Sequence, residues 1–295
     1  MEKNLEEKLQ EIKSIKEWGE KKLGLPQFNN FKYYDENFKK GHIVYYCSSL
    51  KIPKNYVNMY CEKLKTEKES LELKKELEFL GHEVYYRTYE ATASMRKISK
   101  SLLESDIYRK VYVIFHENMH DNLKLAEFQN NLLSLEEACA DIAGRFGALE
   151  YIEEKYGRES KEYKEAFRKV EKSFKYSKLI IKYFDKIEQL LNSNIPEKEK
   201  LVKKKILLKD LAKERYDTCG CELKEISIAE LATRMTYSRF SPLTREVYKK
   251  AGSTKKAIII FKELPDLINE IKLKDSASAE NFCVEFLKNY LIDSV

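Results

Sequence analysis

The sequence predicts a mainly α-helical protein with one small β-sheet. Charged residues make up 35% of the 295 residues, whereas the chain has only nine glycines and five prolines. Few chain breakers beside many Lys and Glu favour long solvated helices over a turn-rich β-sandwich. The apolar content of 43% is enough to bury a core, which excludes a wholly disordered chain.

The first third of the chain alternates helices and short strands. Apolar residues from Leu5 to Trp18 recur at helical spacing, and Gly24-Leu25-Pro26 ends that helix. β-branched and aromatic residues indicate two strands further on. The predicted elements are, in order, helix 4–23, strand 42–48, helix 54–80, strand 83–89 and a polar loop or extended edge at 91–96.

The rest of the chain is predicted to be helical. Helices over 107–122 and 134–156 are followed by a helical hairpin at 160–217, whose turn is the polar stretch 192–196. Residues 224–295 indicate three or four shorter helices. The predicted organisation is a catalytic core at 1–158 with the small sheet, the hairpin at 159–218, and a helical part at 219–295 that completes the active site.

Charge and hydropathy exclude several classes of function. The net charge of +6 comes from 55 basic and 49 acidic residues that are well mixed, so nucleic-acid binding is not predicted. No run of 18 apolar residues is present, so no membrane-spanning helix is expected. The charged amphipathic start lacks the apolar stretch of a secretory signal, so the predicted compartment is the cytoplasm.

The six cysteines are scattered, and most have apolar neighbours. We expect reduced, buried thiols rather than a disulfide framework. Cys219 and Cys221 form a Cys-x-Cys pair with no second pair at metal spacing, so we interpret them as a helix boundary.

The stretch from Val113 to His120 carries the strongest chemical signal. It contains His116-Glu117-x-x-His120 inside an apolar helix. Residues four apart lie one turn above each other, so both imidazoles can bind one metal ion. Glu117 beside them is placed to deprotonate the attacking water. This spacing predicts a zinc site with Glu117 as general base.

A catalytic zinc site needs a third protein ligand, and the next helix offers candidates. Glu137 and Asp141 lie one turn apart on one face, 17 and 21 residues after His120. In this interpretation Glu137 binds the metal and Asp141 accepts the free N–H of a ligand histidine. Glu136 is the competing ligand. A third histidine is excluded, because no histidine follows His120.

Several short segments follow one another in a recognisable order. They are Leu-Gly-Leu-Pro, Gly-His-Glu-Val-Tyr, Val-Ile-Phe-His-Glu and Glu-Glu-Ala. Over about residues 12–270 this order resembles the predicted aminopeptidases of the gluzincin class, with the zinc motifs as the specific part. The resemblance implies a zincin-like metallopeptidase core with a long helical hairpin. It also places the third ligand on Glu137, because Glu136-Glu137-Ala138 stands where the family has an Asn-Glu-Ser-like stretch.

The resemblance also suggests how the oxyanion is stabilised. Thr236-Tyr237 matches a Thr-Tyr pair that recurs in the family after a helical hairpin, which favours Tyr237 for this role. Arg234 and Arg239 remain alternatives, since a tetrahedral intermediate needs a hydrogen-bond donor or a positive charge. Residues 91–95 depart from the family's Tyr-Ser-Thr-Leu-Gly segment, and the lipoprotein signal of its envelope members is not seen.

The sequence thus predicts a zinc-dependent peptidase, with an aminopeptidase as the first choice. Its partner is a peptide or protein substrate, and strand 83–89 or the segment behind it is a candidate for adding a peptide strand. An aminopeptidase needs an acidic anchor for the free amine, for which Glu136 and Glu90 are candidates. The alternatives are a site-specific metalloendopeptidase and a non-enzymatic helical interaction module. The oligomeric state is not predicted.

Overall fold

Helices account for 72% of the structure, which confirms a mainly α protein with a small sheet. The computed structural model describes residues 4–26, 30–38, 40–89, 97–128, 130–220, 222–271 and 276–292. The helices are α1 Leu5–Trp18, α2 Glu67–Phe79, α3 Lys100–Glu104, α4 Ile107–Leu123, α5 Leu125–Phe128, α6 Leu133–Tyr156, α7 Lys161–Asn192, α8 Glu197–Cys219, α9 Ile228–Ser238, α10 Ser241–Ala251, α11 Thr254–Phe261, α12 Leu264–Ile271 and α13 Ser276–Ile292.

The strands form one three-stranded sheet and one short pair. They are β1 Tyr33–Tyr34, β2 Gly41–Cys47, β3 Tyr60–Leu64, β4 Glu83–Tyr89 and β5 Lys97–Ile98. The sheet has the order β3-β2-β4, and both of its strand pairs are antiparallel. The two-residue strands β1 and β5 pair in parallel. Strands β2 and β4 agree with the two that the sequence predicts.

The chain separates into two compact units, each built from separate stretches. The first comprises Met1–Lys39, Glu90–Glu171 and Phe240–Val295, and the second comprises Lys40–Tyr89 and Lys172–Arg239. Each of the parts predicted from the sequence, 1–158, 159–218 and 219–295, is one continuous stretch. The first compact unit instead combines three stretches of the chain, and the second combines two. The boundary near Glu171 falls inside α7.

In the second unit, the sheet is covered on both faces. Ile43 and Tyr45 of β2 pack into a cluster with residues of α7, α8 and α9. Val44, between them, packs with Leu77 of α2. Successive side chains of a strand point to opposite faces, so β2 contributes to both layers.

In the first unit, α4 and α6 pack along each other in opposite directions. Going back along α4 from His120 to Tyr112, the hydrogen-bond partner on α6 advances from Glu136 to Asp141. The two helices approach closely at Gly144, where a Cβ atom would lie 2.8 Å from the Tyr112 ring and 2.9 Å from its carbonyl oxygen. A glycine is therefore needed at this crossing.

The far side of α6 is covered by helices from the end of the chain. The Phe146 ring stacks on Tyr248 of α10 at 3.7 Å between centroids. The backbone N–H and hydroxyl of Thr254, at the start of α11, both donate to Glu150 Oε1, at 2.9 and 2.6 Å. The first unit thus encloses α6 between α4 and the C-terminal helices.

Three expectations about local structure need correction or completion. The helix expected over 54–80 is wrong in its first part, because residues 60–64 pair with β2 as an edge strand before α2 begins. The C-terminal part has five helices in its described residues, not three or four. The polar segment 91–96 and Glu90 lie outside the described residues.

Other local predictions are confirmed. Helices α4 and α6 match the predicted 107–122 and 134–156 within a residue. Helices α7 and α8 form the predicted hairpin, in which Lys182 Nζ and the Tyr183 hydroxyl both donate to Glu214. Cys219 ends α8, and Gly220 follows it at φ 55°, in the left-handed region.

Among the described residues, we find no helix with the length and apolar character needed to cross a membrane. The described cysteines, 47, 61, 139, 219 and 283, are free thiols, and all of them except Cys61 are buried.

Candidate metal centre

Helix α4 carries two histidines on one buried face. The Asp106 side chain caps its first turn by accepting the Arg109 backbone N–H, and the helix ends at Lys124 in a left-handed conformation. His116 and His120 are one turn apart, with 7% and 8% of their surface exposed. Phe115 and Met119, next to them along the helix, are fully buried, so this part of α4 is anchored in the core.

Helix α6 brings a carboxylate against the two rings. Glu137 Oε2 lies 3.2 Å from His116 Nε2 and 3.4 Å from His120 Nε2. The two Nε2 atoms are 3.1 Å apart. These three residues form a group that could hold a metal ion.

The triangle of ligand atoms fits a tetrahedral ion. Zinc bonds of about 2.0–2.1 Å to His and Glu imply about 3.3–3.4 Å between neighbouring ligand atoms. The observed separations of 3.1, 3.2 and 3.4 Å are close to one face of such a tetrahedron. Glu137 Oε2 is also buried without a well-aligned hydrogen bond. A buried carboxylate oxygen in this position is suited to a cation.

The outer ring nitrogens of both histidines face further carboxylates. His120 Nδ1 lies 2.6 Å from Glu136 Oε1, and His116 Nδ1 lies 3.4 Å from Asp141 Oδ1. A carboxylate at Nδ1 favours the tautomer whose Nε2 lone pair is free to bind a metal. Asp141 thus lies beside His116, and its role in orienting a metal ligand stays a prediction.

Asp141 is itself held by two donors that the sequence interpretation missed. The Tyr112 hydroxyl donates to its Oδ1, and Arg145 Nη2 donates to its Oδ2, both at 2.6 Å. The Arg145 guanidinium also lies over the Tyr112 ring, 5.7 Å from its centroid. Tyr112 precedes His116 by four residues and Arg145 follows Asp141 by four, so helical spacing is the signal that identifies them.

Electrostatics favours positive charge between the ligand atoms. Burial lowers the pKa of His116, but Asp141 and Glu137 raise it to about 9. Burial likewise lowers the pKa of His120, and Glu137 and Glu136 raise it well above its usual value. For Glu137, burial raises the pKa and the two histidines lower it to about 2. When both imidazoles are protonated, the pair carries two positive charges. A divalent ion bound to the neutral imidazoles supplies the same charge, so such an ion can replace the two protons.

Glu117 differs from the other members of the motif because it is partly exposed. Burial raises its pKa above that of a free glutamate, and the nearby charges of His116 and His120 partly oppose this effect. A carboxylate whose pKa is raised toward neutrality is a better general base than an ordinary one.

Asn30 contacts α4 at Glu117 and at Asp121, one turn further along the helix. Its Nδ2 donates to Asp121 Oδ2 at 2.5 Å and lies 3.4 Å from the Glu117 carbonyl oxygen. Lys16 Nζ in turn donates to the Asn30 carbonyl oxygen at 2.6 Å. These contacts restrain the turn of α4 that carries the candidate base.

The residues considered for the oxyanion belong to the second unit. Arg87 Nη1 donates to the Tyr237 hydroxyl at 3.5 Å, and Arg234 Nη2 donates to Glu230 Oε1 at 2.6 Å. Arg239 caps the end of α9 through its backbone N–H. The role of Tyr237, Arg234 or Arg239 in stabilising an oxyanion stays a prediction.

Comparisons with models of known protein families, with curated proteins and with solved structures found no match. The resemblance to gluzincin aminopeptidases therefore stays a prediction that rests on the sequence motifs.

Proposed function

We propose that this protein is a zinc-dependent peptidase of gluzincin type, most simply an aminopeptidase. The observation that carries the proposal is the buried triangle of His116 Nε2, His120 Nε2 and Glu137 Oε2, with Glu117 partly exposed beside it. Structural zinc sites use four protein ligands and are rich in Cys, whereas catalytic sites keep three and leave a position open. The donor set of two histidines and one glutamate fits the catalytic kind.

His116, His120 and Glu137 would hold the ion, with Glu136 and Asp141 fixing the two rings. A zinc ion bound there supplies a Lewis acid that polarises a peptide carbonyl and lowers the pKa of water. Glu117 takes the proton from the attacking water and passes it to the leaving amine. Tyr237, by the family resemblance, is the first candidate for donating to the oxyanion.

The choice of an aminopeptidase rests on the resemblance of the sequence motifs. The zincin-like core and the cytoplasmic location belong to the same proposal. A site-specific endopeptidase uses the same centre and differs only in whether the substrate amine is bound. Hydrolysis of a peptide with a free amine, compared with its acetylated form, separates the two activities.

The first test is the zinc content of the purified protein, measured beside hydrolysis of a panel of aminoacyl chromogenic substrates. We expect one zinc per chain and activity that a chelator removes and added zinc restores. Protein that binds no zinc after exposure to micromolar zinc would overturn the proposal.

The second test separates binding from chemistry. Glu117→Gln is nearly isosteric and removes the general base, so we expect zinc content to stay unchanged while turnover falls about a hundredfold or more. Glu127→Gln is the matched control, because the Glu127 side chain is 72% exposed in the same unit and should leave turnover unchanged. A zinc-loaded Glu117→Gln variant with full activity would exclude the proposed mechanism.

A further inference from the structure

We propose that Glu136 is a positioning residue that holds His120 in its metal-binding tautomer and joins it to the segment that follows α4. This inference rests on the metal site of the proposed function and assigns Glu136 a role other than metal ligand or amine anchor. It also predicts that metal binding and the order of residues 124–128 are coupled through one side chain.

Both carboxylate oxygens of Glu136 are already engaged. Oε1 lies 2.6 Å from His120 Nδ1, and Oε2 accepts the Ala126 backbone N–H at 2.6 Å. The residue is only 5% exposed. The carboxylate of Glu136 therefore faces His120 Nδ1 and the Ala126 N–H, whereas Glu137 faces the two Nε2 atoms.

Both hydrogen bonds require the Glu136 oxygens to act as acceptors. When His120 is neutral with its proton on Nδ1, it donates to Oε1, and its Nε2 lone pair is free on the side of Glu137. The opposite tautomer would put a proton on Nε2 and block that position. Glu136 therefore selects the state of His120 that can bind a metal.

The segment held by Oε2 begins with an unusual backbone conformation. Lys124, at the end of α4, has φ 49°, in the left-handed region that non-glycine residues rarely adopt. Leu125 follows with none of its side chain exposed, and Ala126 donates to Glu136. The turn is thus held by the burial of Leu125 and by the same carboxylate that orients the ligand histidine.

The substitution Glu136→Gln separates the positioning role from simple packing. The glutamine side chain has nearly the same shape as that of glutamate but offers one acceptor and one donor group instead of two acceptors. If its oxygen accepts from Ala126, its amide faces His120 Nδ1 and favours the tautomer that cannot bind. If its oxygen accepts from His120, its amide faces the Ala126 N–H. One of the two contacts is lost in either case.

The experiment compares Glu136→Gln with wild type and with Glu127→Gln, an exposed neighbour of the same segment. Zinc affinity is measured by competition with a chromophoric chelator, and amide hydrogen exchange is followed for peptides covering residues 124–128. We expect Glu136→Gln to weaken zinc binding about 10–100-fold and to speed exchange at Ala126 about tenfold, while Glu127→Gln changes neither. Unchanged zinc affinity and unchanged exchange in a folded Glu136→Gln variant would overturn the inference.

A measurement on wild type keeps the proposal testable if the variant does not fold. Addition of zinc should slow exchange at Ala126, because a fixed His120 also fixes Glu136. Zinc that binds without any change at Ala126 would refute the coupling while leaving the proposed peptidase intact. A wild type that binds no zinc would instead refute the proposed function and, with it, this inference.

Discussion

Asp141→Asn should destabilise the protein, because it removes the buried carboxylate that accepts a hydrogen bond from the Arg145 guanidinium. The Asp141 side chain is 4% exposed and that of Arg145 is 16% exposed, with 2.6 Å between Nη2 and Oδ2. Removing one partner of a buried ion pair costs about 3–5 kcal/mol of unfolding free energy. We expect the lower end, about 3 kcal/mol, because Arg145 keeps some solvent contact and lies over the Tyr112 ring.

Thermal unfolding of the metal-free protein, followed by circular dichroism in the presence of a chelator, measures this effect without a contribution from zinc. One kcal/mol corresponds to about 2–4 °C in a chain of this size class, so the midpoint should fall by about 6–12 °C. Zinc affinity should also fall, by about 10–100-fold, because Asp141 no longer orients His116 as a carboxylate does.

A double variant separates these two consequences. Adding Arg145→Met to Asp141→Asn also removes the buried guanidinium that the carboxylate had neutralised, so most of the lost stability should return. Zinc affinity should stay low, because the second change does not restore the carboxylate beside His116. A single Asp141→Asn variant as stable as wild type, or a double variant no more stable than the single one, would refute the assignment of this ion pair.

Two further predictions concern the ligand set and the thiols. Glu137→Gln should lower zinc affinity more than a hundredfold in equilibrium dialysis, because it removes a charged ligand, whereas the exposed Glu153→Gln should not; equal zinc content in both variants would contradict the assignment. In native protein at pH 8, iodoacetamide should label Cys61 but not Cys47, because burial raises the pKa of Cys47 to about 12 and keeps its thiol protonated. Mass spectrometry before and after unfolding checks this expectation, which equal native labelling of both residues would overturn.

The sequence predicted those elements whose local signals agree with their tertiary surroundings. Strand 83–89 is recognisable because aromatic and β-branched residues follow directly after the turn at Gly81. Strand 60–64 was missed because its Glu62 and Lys63 are typical of a solvated helix. Its pairing with β2 as a charged edge strand depends on residues 14 to 22 positions earlier.

The candidate site also contains contacts that the sequence predicts and one that it does not. Helical spacing puts His116 with His120 and Glu137 with Asp141. That Glu137, and not Glu136, faces both Nε2 atoms depends on how α6 packs against α4. The contact between Glu136 and Ala126 could not be predicted, because it depends on the conformation of the turn that begins at Lys124. Periodicity in the sequence shows which residues share one face of a helix. This contact instead joins α6 to the segment that follows α4.

The first unit combines stretches of the chain that are synthesised at different times. Helices α4 and α6 emerge from the ribosome well before α10 and α11, which cover the far side of α6 through Tyr248 and Thr254. Until those last helices are synthesised, the outer face of α6 is open to water and to chaperones. The nascent chain therefore contains His116, His120 and Glu137 before the helices that cover Phe146 are made, so the burial of Phe146 is the later event.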